Sequence, residues 1–271
     1  MALSFVKMHG LGNDFVVLDA RARPVDLSEK TIRALCDRRF GIGCDQLIVM
    51  EPSTKADVFM RIYNPDGSQA QSCGNATRCI AWRLMEETRQ SEIIIETLGG
   101  LLSCTRTTDG RVAVDMGAPI FDWQKIPLSK EVEVMDLSSV IQHPPSGMAL
   151  SMGNPHAVFL VPDADSIDLA AEGAALEHHP LFPERANISF VQVLSPDHLK
   201  LRVWERGAGA TLACGTAACA ALVACAAKGL TGRIAKVSLP GGDLDIRWDE
   251  ATGHVVMTGG VALVFEGQWH G

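Results

Sequence analysis

The chain contains the same short pattern twice, about half a chain apart. In the first copy, a strand-like run and a Gly-containing turn lead to Ser72-Cys73-Gly74-Asn75-Ala76-Thr77-Arg78-Cys79. In the second copy, a strand and a Gly-rich turn lead to Ala213-Cys214-Gly215-Thr216-Ala217-Ala218-Cys219. The separation of the two cysteines, 214 − 73 = 141 residues, is about one domain length in a chain of 271. The repeat predicts two similar domains related by duplication.

Hydrophobic patterning around the two copies predicts alternating strands and helices. Strands are expected at Phe15–Leu18, Gln46–Met50, Val58–Tyr63 and Glu92–Glu96, and again at Ala157–Val161, Ile188–Val193 and Leu199–Trp204. Helices are expected after the N-cap Ser28, from Cys73 to Glu87, and from Cys214 to a stop at Gly229. The last helix is apolar on nearly every side, which predicts a sheet wrapped around it.

Composition excludes several classes of protein. Hydrophobic residues make up 47% and charged residues 21%, as in globular proteins, and the net charge of −8 comes without a basic run for nucleic acid. The uncharged stretch 207–227 is too rich in Ala and Gly to enter a membrane. The first seven residues lack a signal-peptide pattern, so we expect a cytoplasmic protein.

The eight cysteines allow a disulfide framework or a metal site, but reduced thiols are the better interpretation. No Cys-x-x-Cys pair occurs and no His has ligand spacing, so we expect no metal. Ordinary buried thiols are expected at Cys36, Cys44, Cys104 and Cys225.

Cys73 and Cys214 are different, because each opens a helix. The helix dipole and the free N–H groups of a first turn favour a thiolate there, and the following Gly leaves those N–H groups open to an anion. Two such helix starts facing one another would hold a carboxylate with its α-carbon between two sulfurs. One cysteine could then remove the α-proton while the other supplies a proton from the opposite face, without pyridoxal phosphate.

At these residues the sequence resembles the diaminopimelate epimerase family, over almost the whole chain. The matching motifs are Met8-His9-Gly10-Leu11-Gly12-Asn13-Asp14-Phe15, Gly41-Ile42-Gly43-Cys44-Asp45-Gln46, Asn64 to Cys79, Gly153-Asn154-Pro155-His156 and Glu205 to Cys219. The resemblance implies an α+β fold of two pseudo-symmetric domains, each a mixed sheet curled around a central helix, with the active site in the cleft between them. The domains would be residues 1–117 and 118–260, with a last strand, about 261–271, returning to the first.

The resemblance also implies an activity and a set of site residues. The reaction is epimerisation of LL-diaminopimelate to the meso form, in lysine and peptidoglycan precursor biosynthesis, by a homodimer that uses no cofactor. The implied catalytic residues are Cys73 and Cys214, supported by His156 and Glu205. The implied substrate ligands are Asn13, Gln46, Asn64, Gly74, Asn75, Asn154, Asn187, Glu205, Arg206, Gly215 and Thr216.

Alternatives remain at this point. A proline or hydroxyproline racemase would use the same two thiols, a phenazine-type isomerase would not need both, and a redox-sensing or ligand-binding protein would have no turnover. Taken singly, several site residues also have structural explanations, such as a turn at Asn13 or a solvated Glu205–Arg206 pair. Departures from the family pattern, including Pro65, Ala76, Ala210 and Ala217, replace neither thiol and no expected substrate ligand.

Overall fold

The computed structural model describes residues 2–144 and 146–271. The chain divides into two compact units, Met1–Val114 with Gly259–Gly271, and Asp115–Thr258. Both strands and α-helices occur in each unit, so the predicted α+β class is confirmed. Within the described residues no helix combines the length and apolar character that crossing a bilayer requires.

The elements follow one another in a repeating order. They are β1 (Leu3–Gly10), β2 (Asn13–Asp19), α1 (Glu29–Cys36), β3 (Gln46–Glu51), β4 (Val58–Tyr63), β5 (Gln69–Ala70), α2 (Gly74–Thr88), β6 (Glu92–Thr97), β7 (Gly100–Arg106), β8 (Val112–Asp115), β9 (Gly147–Ser151), β10 (Pro155–Leu160), α3 (Leu169–Glu177), β11 (Asn187–Ser195), β12 (His198–Glu205), β13 (Gly209–Ala210), α4 (Gly215–Ala227), β14 (Ile234–Leu239), β15 (Gly242–Trp248), β16 (Val255–Gly259) and β17 (Ala262–Trp269).

Strand pairing in the first unit runs β17-β1-β2-β3-β4-β6-β7-β8, with β5 also paired to β4. The β2–β3 and β4–β6 pairs are parallel and the others are antiparallel. The last strand of the chain thus lies beside the first. A parallel pair needs a crossover connection, and α1 and α2 lie within the two crossovers.

The second unit repeats this order. Its strands pair as β9-β10-β11-β12-β14-β15-β16, with β13 also on β12, and the parallel pairs are β10–β11 and β12–β14. Here α3 and α4 lie within the crossovers. The two units therefore share one topology, which confirms the two repeated domains predicted from the sequence.

Helix α4 occupies the centre of the second unit. It contacts β9, β10, β11, β12, β14 and β15, and every residue from Ala217 to Cys225 is buried. This burial on all sides is what an apolar helix of this kind requires. Lys228 caps the helix, and Gly229 follows with φ +71°, the left-handed conformation that commonly ends a helix. The predicted stop at Gly229 is confirmed.

Helix α1 packs against the sheet of the first unit, and helix α3 packs against that of the second. In the first unit, Ile32 and Leu35 of α1 share a core with Val16 and Leu18 of β2. The N-cap Ser28 accepts a hydrogen bond from the N–H of Thr31 at 3.1 Å, as its sequence position predicts. Because residues 15–18 of β2 are all buried, this strand has apolar neighbours on both faces.

All the strands and helices named in the sequence analysis are present, but no bounds were predicted there for β1, β5, β7, β8, β9, β13, β14, β15, β16 or α3. Strand β1 includes Lys7 and His9, whose polarity masks an otherwise apolar run. Lys7 is nevertheless buried, since its ammonium pairs with Asp14 at 2.5 Å. Helix α3 consists largely of Ala, Leu and Glu without amphipathic periodicity, so only its N-cap, Asp168, marks it in the sequence.

Candidate active site

Both cysteines of the repeated pattern lie at helix N-caps. Cys73 precedes α2 with φ −150° and ψ 110°, and Cys214 precedes α4 with φ −129° and ψ 113°. The sequence pattern predicted a position inside the first turn, so each helix begins one residue later than expected. The first helical residues are Gly74 and Gly215, whose N–H groups have no partner within their own helix.

Asn13 lies beside Cys73 in the first unit. Its Oδ1 accepts hydrogen bonds from Nδ2 of Asn75 at 3.1 Å and from Sγ of Cys73 at 3.8 Å. Its Nδ2 donates to Oδ2 of Asp45 at 3.0 Å. Asn13 is the first residue of β2 and Asn75 is in the first turn of α2, so a strand start and a helix start meet at the thiol.

Gln46 and Asn64 form a second contact in the same unit. Nε2 of Gln46 donates to Oδ1 of Asn64 at 3.0 Å, and Nδ2 of Asn64 donates to Oγ of Ser68 at 3.1 Å. Gln46 begins β3 and Asn64 follows the antiparallel β4, so both lie at one edge of the sheet. Since β3 runs parallel to β2 and pairs Gln46 with Phe15, this is also the edge where Asn13 lies.

A charged network lies behind Asn13. Arg38 donates to both Asp14 and Asp45, at 2.6 Å to each, and Lys7 pairs with Asp14. Burial opposes ionisation of Asp14, but hydrogen bonds from Arg38 and Lys7 outweigh it and hold the pKa of this carboxyl well below its usual range. Asp14 therefore acts as a fixed anion, and Asp45 accepts hydrogen bonds beside it.

In the second unit, a chain of hydrogen bonds leads to Cys214. Sγ of Cys214 lies 3.5 Å from Oγ1 of Thr216, which accepts from Nδ2 of Asn154 at 3.3 Å. Oδ1 of Asn154 is 2.9 Å from Nε2 of His156. His156 is fully buried, and burial lowers its pKa to about 3, with a smaller contribution from Arg206, so the ring is neutral at pH 7.

Cys214 is 6% exposed, which decides its protonation. Burial raises its pKa well above the ordinary thiol value, and the negative charge of Glu205 raises it further. A hydrogen bond from Thr216 and a backbone N–H of α4 act in the opposite direction but do not compensate. The start of α4 therefore acts on Cys214 in the expected direction, but desolvation outweighs it and favours the protonated thiol.

Glu205 and Arg206 lie where β12 turns into β13. Thr211 donates its hydroxyl to the Glu205 carboxylate, and the backbone N–H of Arg206 donates to Oδ1 of Asn187 at 3.0 Å. Asn187 is buried and donates its own Nδ2 to the carbonyl of Pro155 at 3.0 Å. The side chains of Glu205 and Arg206 thus have separate partners, Arg206 reaching the Glu184 carbonyl at 3.4 Å.

Glu177 supports the same turn and had no role in the sequence analysis. This buried carboxylate accepts from Nε1 of Trp204 at 2.7 Å and from the backbone N–H of Gly207 at 2.9 Å. It belongs to the last turn of α3. Glu177 therefore joins the two ends of the segment that carries Glu205 and Arg206.

The offset of 141 residues relates other polar residues of the two units as well as the two cysteines. It also pairs Asn13 with Asn154, Gln46 with Asn187, Asn64 with Glu205, and Asn75 with Thr216. The register agrees, because Gln46 pairs with Phe15 in β2–β3 and Asn187 pairs with His156 in β10–β11. Each unit thus has its own set of polar side chains around its own cysteine.

Some of the predicted site residues of each unit lie around its cysteine, whereas others contact one another, Gln46 with Asn64 and Asn187 with the backbone of Arg206. Cys73 has Asn13 and Asn75 beside it, and Cys214 has Thr216, Asn154, His156 and Glu205. The structure adds Asp45, Asp14 and Glu177. The first two stand inside motifs of the sequence, so their adjacency to Asn13 and Gln46 was the available signal, whereas Glu177 carries none.

The remaining cysteines have no comparable surroundings. Cys36, Cys44, Cys104 and Cys225 are buried, as predicted, and all eight cysteines of the described residues are free thiols. Sγ of Cys36 and Sγ of Cys44 lie 3.5 Å apart in the core beneath α1. Within the described residues, no three His, Cys, Asp or Glu side chains lie together as metal ligands would.

Comparison with solved structures identifies the same fold elsewhere. A hydroxyproline epimerase from Agrobacterium vitis, with bound trans-4-hydroxy-L-proline, matches with a TM-score of 0.70 at 15% identity over 99% of this chain and 91% of that one. A PhzF-family phenazine biosynthesis protein from Bacillus anthracis matches with a TM-score of 0.70 at 17% identity over 100% and 99%. At these identities the likeness is one of fold.

Sequence comparison is more specific. The family model described as diaminopimelate epimerase matches residues 5–121 and 148–264. A diaminopimelate epimerase from Rhodospirillum centenum is 52% identical over 99% of this chain and 92% of that protein. A diaminopimelate epimerase from Gluconobacter oxydans is 52% identical over 98% of this chain and 99% of its own length. The resemblance stated from the motifs is confirmed, and the chain belongs to the diaminopimelate epimerase family.

Proposed function

We propose that this protein converts LL-2,6-diaminopimelate to meso-diaminopimelate, with Cys73 and Cys214 as the two acid–base groups. The observation that carries the proposal is the pair of cysteines at equivalent helix N-caps of a repeated fold, in a chain 52% identical to named diaminopimelate epimerases. The reaction belongs to the supply of lysine and peptidoglycan precursors.

The chemistry divides between the two thiols. One cysteine, as its thiolate, takes the α-proton, and the electron pair of the broken C–H bond passes to the α-carbon and its carboxylate. The other cysteine, as a thiol, gives its proton to the opposite face of that carbon, which inverts the centre and leaves the two protonation states exchanged. The reaction therefore requires both helix starts to reach one α-carbon.

The carbanion is the difficult species, and several groups support it. In this proposal the N–H groups at the starts of α2 and α4, at Gly74, Asn75, Gly215 and Thr216, donate to the reacting carboxylate, as first-turn N–H groups of helices commonly do to anions. Such donors stabilise the developing charge without pyridoxal phosphate or a metal ion.

The remaining polar residues would select a substrate with two amino-acid ends. Arg206 can bind a carboxylate with two parallel hydrogen bonds. Asn13, Gln46, Asn64, Asn154 and Asn187 offer both donors and acceptors for ammonium and carboxylate groups. Proline has only one such end, so this set favours diaminopimelate.

His156 and Glu205 would act on the second cysteine. Glu205 is a carboxylate close enough to Cys214 to raise its pKa, and it can accept the thiol proton when a thiolate is required. His156 is neutral and holds Asn154, which in turn holds Thr216 beside the sulfur. In this proposal His156 positions the site, whereas Glu205 helps to move a proton.

The assembly and the compartment are part of the proposal. We infer a homodimer, because β17 exposes three consecutive apolar side chains, Leu263 at 44%, Val264 at 51% and Phe265 at 46%. A second copy would bury such a strand. Free cysteines throughout the described residues fit a reducing cytoplasm. Sedimentation velocity of wild type and Phe265→Glu tests the dimer, which the variant should weaken.

The test of the function is proton NMR in D₂O with reduced protein, no added cofactor and hydroxylamine present to trap any adventitious pyridoxal phosphate. We expect loss of the α-proton signal of LL-diaminopimelate and appearance of the meso isomer. Cys73→Ala and Cys214→Ala should each abolish epimerisation while the fold survives, and Cys104→Ala is the control. Full turnover in either cysteine variant would contradict the two-base mechanism, and exchange with proline alone would contradict the substrate.

A further inference from the structure

Asp45 lies behind the first cysteine and touches Asn13. Its Oδ2 accepts from Nδ2 of Asn13 at 3.0 Å and from the backbone N–H of Asp14 at 3.0 Å, while its Oδ1 accepts from Arg38 at 2.6 Å. The backbone N–H of Asp45 donates in return to the carbonyl of Asp14 at 3.0 Å. The carboxylate is therefore fixed by a backbone pair and a guanidinium, independently of any substrate.

This arrangement dictates which way the Asn13 amide faces. An ionised carboxylate only accepts hydrogen bonds, so the amide must turn its NH₂ group to Asp45. The carbonyl oxygen is then left to face Asn75 and Cys73, where it accepts from both. If the Asn13 amide were rotated by 180°, its oxygen would face the carboxylate oxygen of Asp45, and its NH₂ group would face the NH₂ group of Asn75.

The direction in which the Asn13 amide faces affects the protonation of the Cys73 thiol. A carbonyl oxygen 3.8 Å from Sγ accepts a hydrogen bond from S–H, whereas it repels the lone pairs of a thiolate. An NH₂ group in the same place would do the reverse. We propose that Asp45 is a positioning residue that, through Asn13, holds Cys73 in its protonated form, ready to donate the proton. This rests on the proposed acid–base role of Cys73.

The second unit offers an internal comparison. At the offset of 141 residues, Asp45 corresponds to Ala186 and Asp14 corresponds to Pro155, so neither carboxylate has an equivalent in the second unit. Asn154 turns its oxygen to His156 and its NH₂ group to Thr216. Of the two cysteines at helix starts, only Cys73 therefore has a neighbouring amide that is oriented by a carboxylate at the position of Asp45.

The experiment measures the alkylation of Cys73 by iodoacetamide against pH, without substrate, by mass spectrometry of the peptide that contains it. Cys73 is partly exposed while the other seven cysteines are buried, so its reaction is readily followed. In Asp45→Ala the Asn13 amide is free to turn its NH₂ group to the sulfur. We expect the pH midpoint to fall by about 1 unit and the rate below it to rise about tenfold.

Two controls separate orientation from charge. Asp45→Asn removes the same charge but keeps an acceptor oxygen for Asn13, so we expect less than about a third of the shift. Asp109→Ala removes a carboxylate on the β7–β8 hairpin of the same unit, where it pairs with Arg111, and should leave the midpoint unchanged. An Asp45→Asn midpoint as low as that of Asp45→Ala would overturn the proposal.

The decisive comparison is a double-mutant cycle with Asn13→Ala. Because Asp45 acts through Asn13, Asp45→Ala should cause no further shift in the Asn13→Ala protein. A full shift in that background, or no shift in the wild-type background, would overturn the inference. Since alkylation needs no turnover, an inactive wild type that still gave the expected shifts would contradict the proposed function and leave the Asp45–Asn13 orientation standing.

Discussion

Asn13 and Asn154 occupy equivalent positions of the repeat, yet their amides are turned in opposite directions. Asn13 presents its oxygen to Cys73, while Asn154 presents its NH₂ group to Thr216, which lies 3.5 Å from the sulfur of Cys214. The reaction proposed above is close to symmetric, because each cysteine serves as acid in one direction and as base in the other. The surroundings of the two thiols are nevertheless different, so equivalent substitutions should not give equivalent results.

Glu205→Gln should lower the pKa of Cys214. Burial is the larger cause of the raised pKa and would remain, but the negative charge of Glu205 would be gone. The equivalent residue in the first unit is the neutral Asn64. We therefore expect the titration midpoint of Cys214 to fall, and ¹³C NMR of protein labelled at the cysteine Cβ measures it. Glu250→Gln, which changes an 83% exposed carboxylate of the same unit, is the matched control. An unchanged Cys214 titration would show that Glu205 has no electrostatic hold on this thiol.

His156 should make the protein less stable in acid. Its pKa is about 3 in the folded protein and about 6.5 when unfolded, so the unfolded state alone binds a proton between these values. The contribution of the neutral His156 ring to the free energy of unfolding is fully present above pH 6.5 and is lost progressively as the pH falls towards 3. At pH 5 the loss is about 2 kcal/mol relative to pH 7.

Urea unfolding at pH 7 and pH 5 measures this loss. His156→Gln retains a donor to Oδ1 of Asn154 but has no titrating ring, so its pH dependence should be smaller by about 2 kcal/mol. His178→Gln, in a solvent-exposed position at the end of α3, is the control and should behave as wild type. The interpretation fails if wild type and His156→Gln lose stability equally between the two pH values.

Much of this site could be predicted from the sequence, because its residues recur in a repeat. The strands before Asn64 and Glu205 and the helices after Cys73 and Cys214 come from local patterns, and the repeat indicates that the two cysteines are equivalent. Local patterns do not indicate how deeply Cys214 is buried, and this burial raises its pKa by more than the start of α4 lowers it. Protonation depends on tertiary packing, which composition and spacing do not describe.

The contacts of Glu177 and Asp45 are a second feature that could not be predicted from the sequence. Glu177 contacts Trp204 and Gly207, which lie 27 and 30 residues further along the chain. From the sequence, a Glu near the end of an alanine-rich helix is expected to be exposed to solvent. Only the tertiary structure brings Glu177 next to the turn that follows β12. Asp45 is adjacent in sequence to Gln46, but its contact with Asn13 depends on the parallel pairing of β2 and β3.

Glu177→Ala should weaken substrate binding more than the chemical step. The substitution leaves the indole N–H of Trp204 and the backbone N–H of Gly207 without their acceptor, so the turn that carries Arg206 loses its support. We expect the free energy of unfolding to fall by about 2 kcal/mol and KM for diaminopimelate to rise severalfold, with a smaller change in kcat. Steady-state kinetics and urea unfolding measure both.

Glu177→Gln distinguishes positioning from a general loss of stability. Its carbonyl oxygen can still accept one of the two hydrogen bonds, so KM should recover partly towards the wild-type value. Glu184→Ala, an exposed carboxylate between α3 and β11, is the control for loss of charge. If Glu177→Ala changed kcat and left KM alone, the positioning role would be wrong.

Gly10→Ala should disturb the first cysteine without touching it. Gly10 ends β1 where that strand passes the first turn of α2, and a Cβ there would lie 2.9 Å from Nη2 of Arg78 and 3.3 Å from Cβ of Asn75. Arg78 is fully buried, so it has little room to yield, and Asn75 is hydrogen-bonded to Asn13. The start of α2 must therefore shift.

The expected cost is about 1–3 kcal/mol in the free energy of unfolding, as for other overpacked sites, together with a loss of kcat/KM because Cys73 moves with the helix. Gly232→Ala is the matched control, since its Cβ would meet no atom within 4 Å, and it should stay within about 0.5 kcal/mol of wild type. Urea unfolding and the D₂O exchange assay report the two effects separately. Gly10→Ala with wild-type turnover would mean that the α2 start tolerates displacement and that the geometry around Cys73 is not set by this approach.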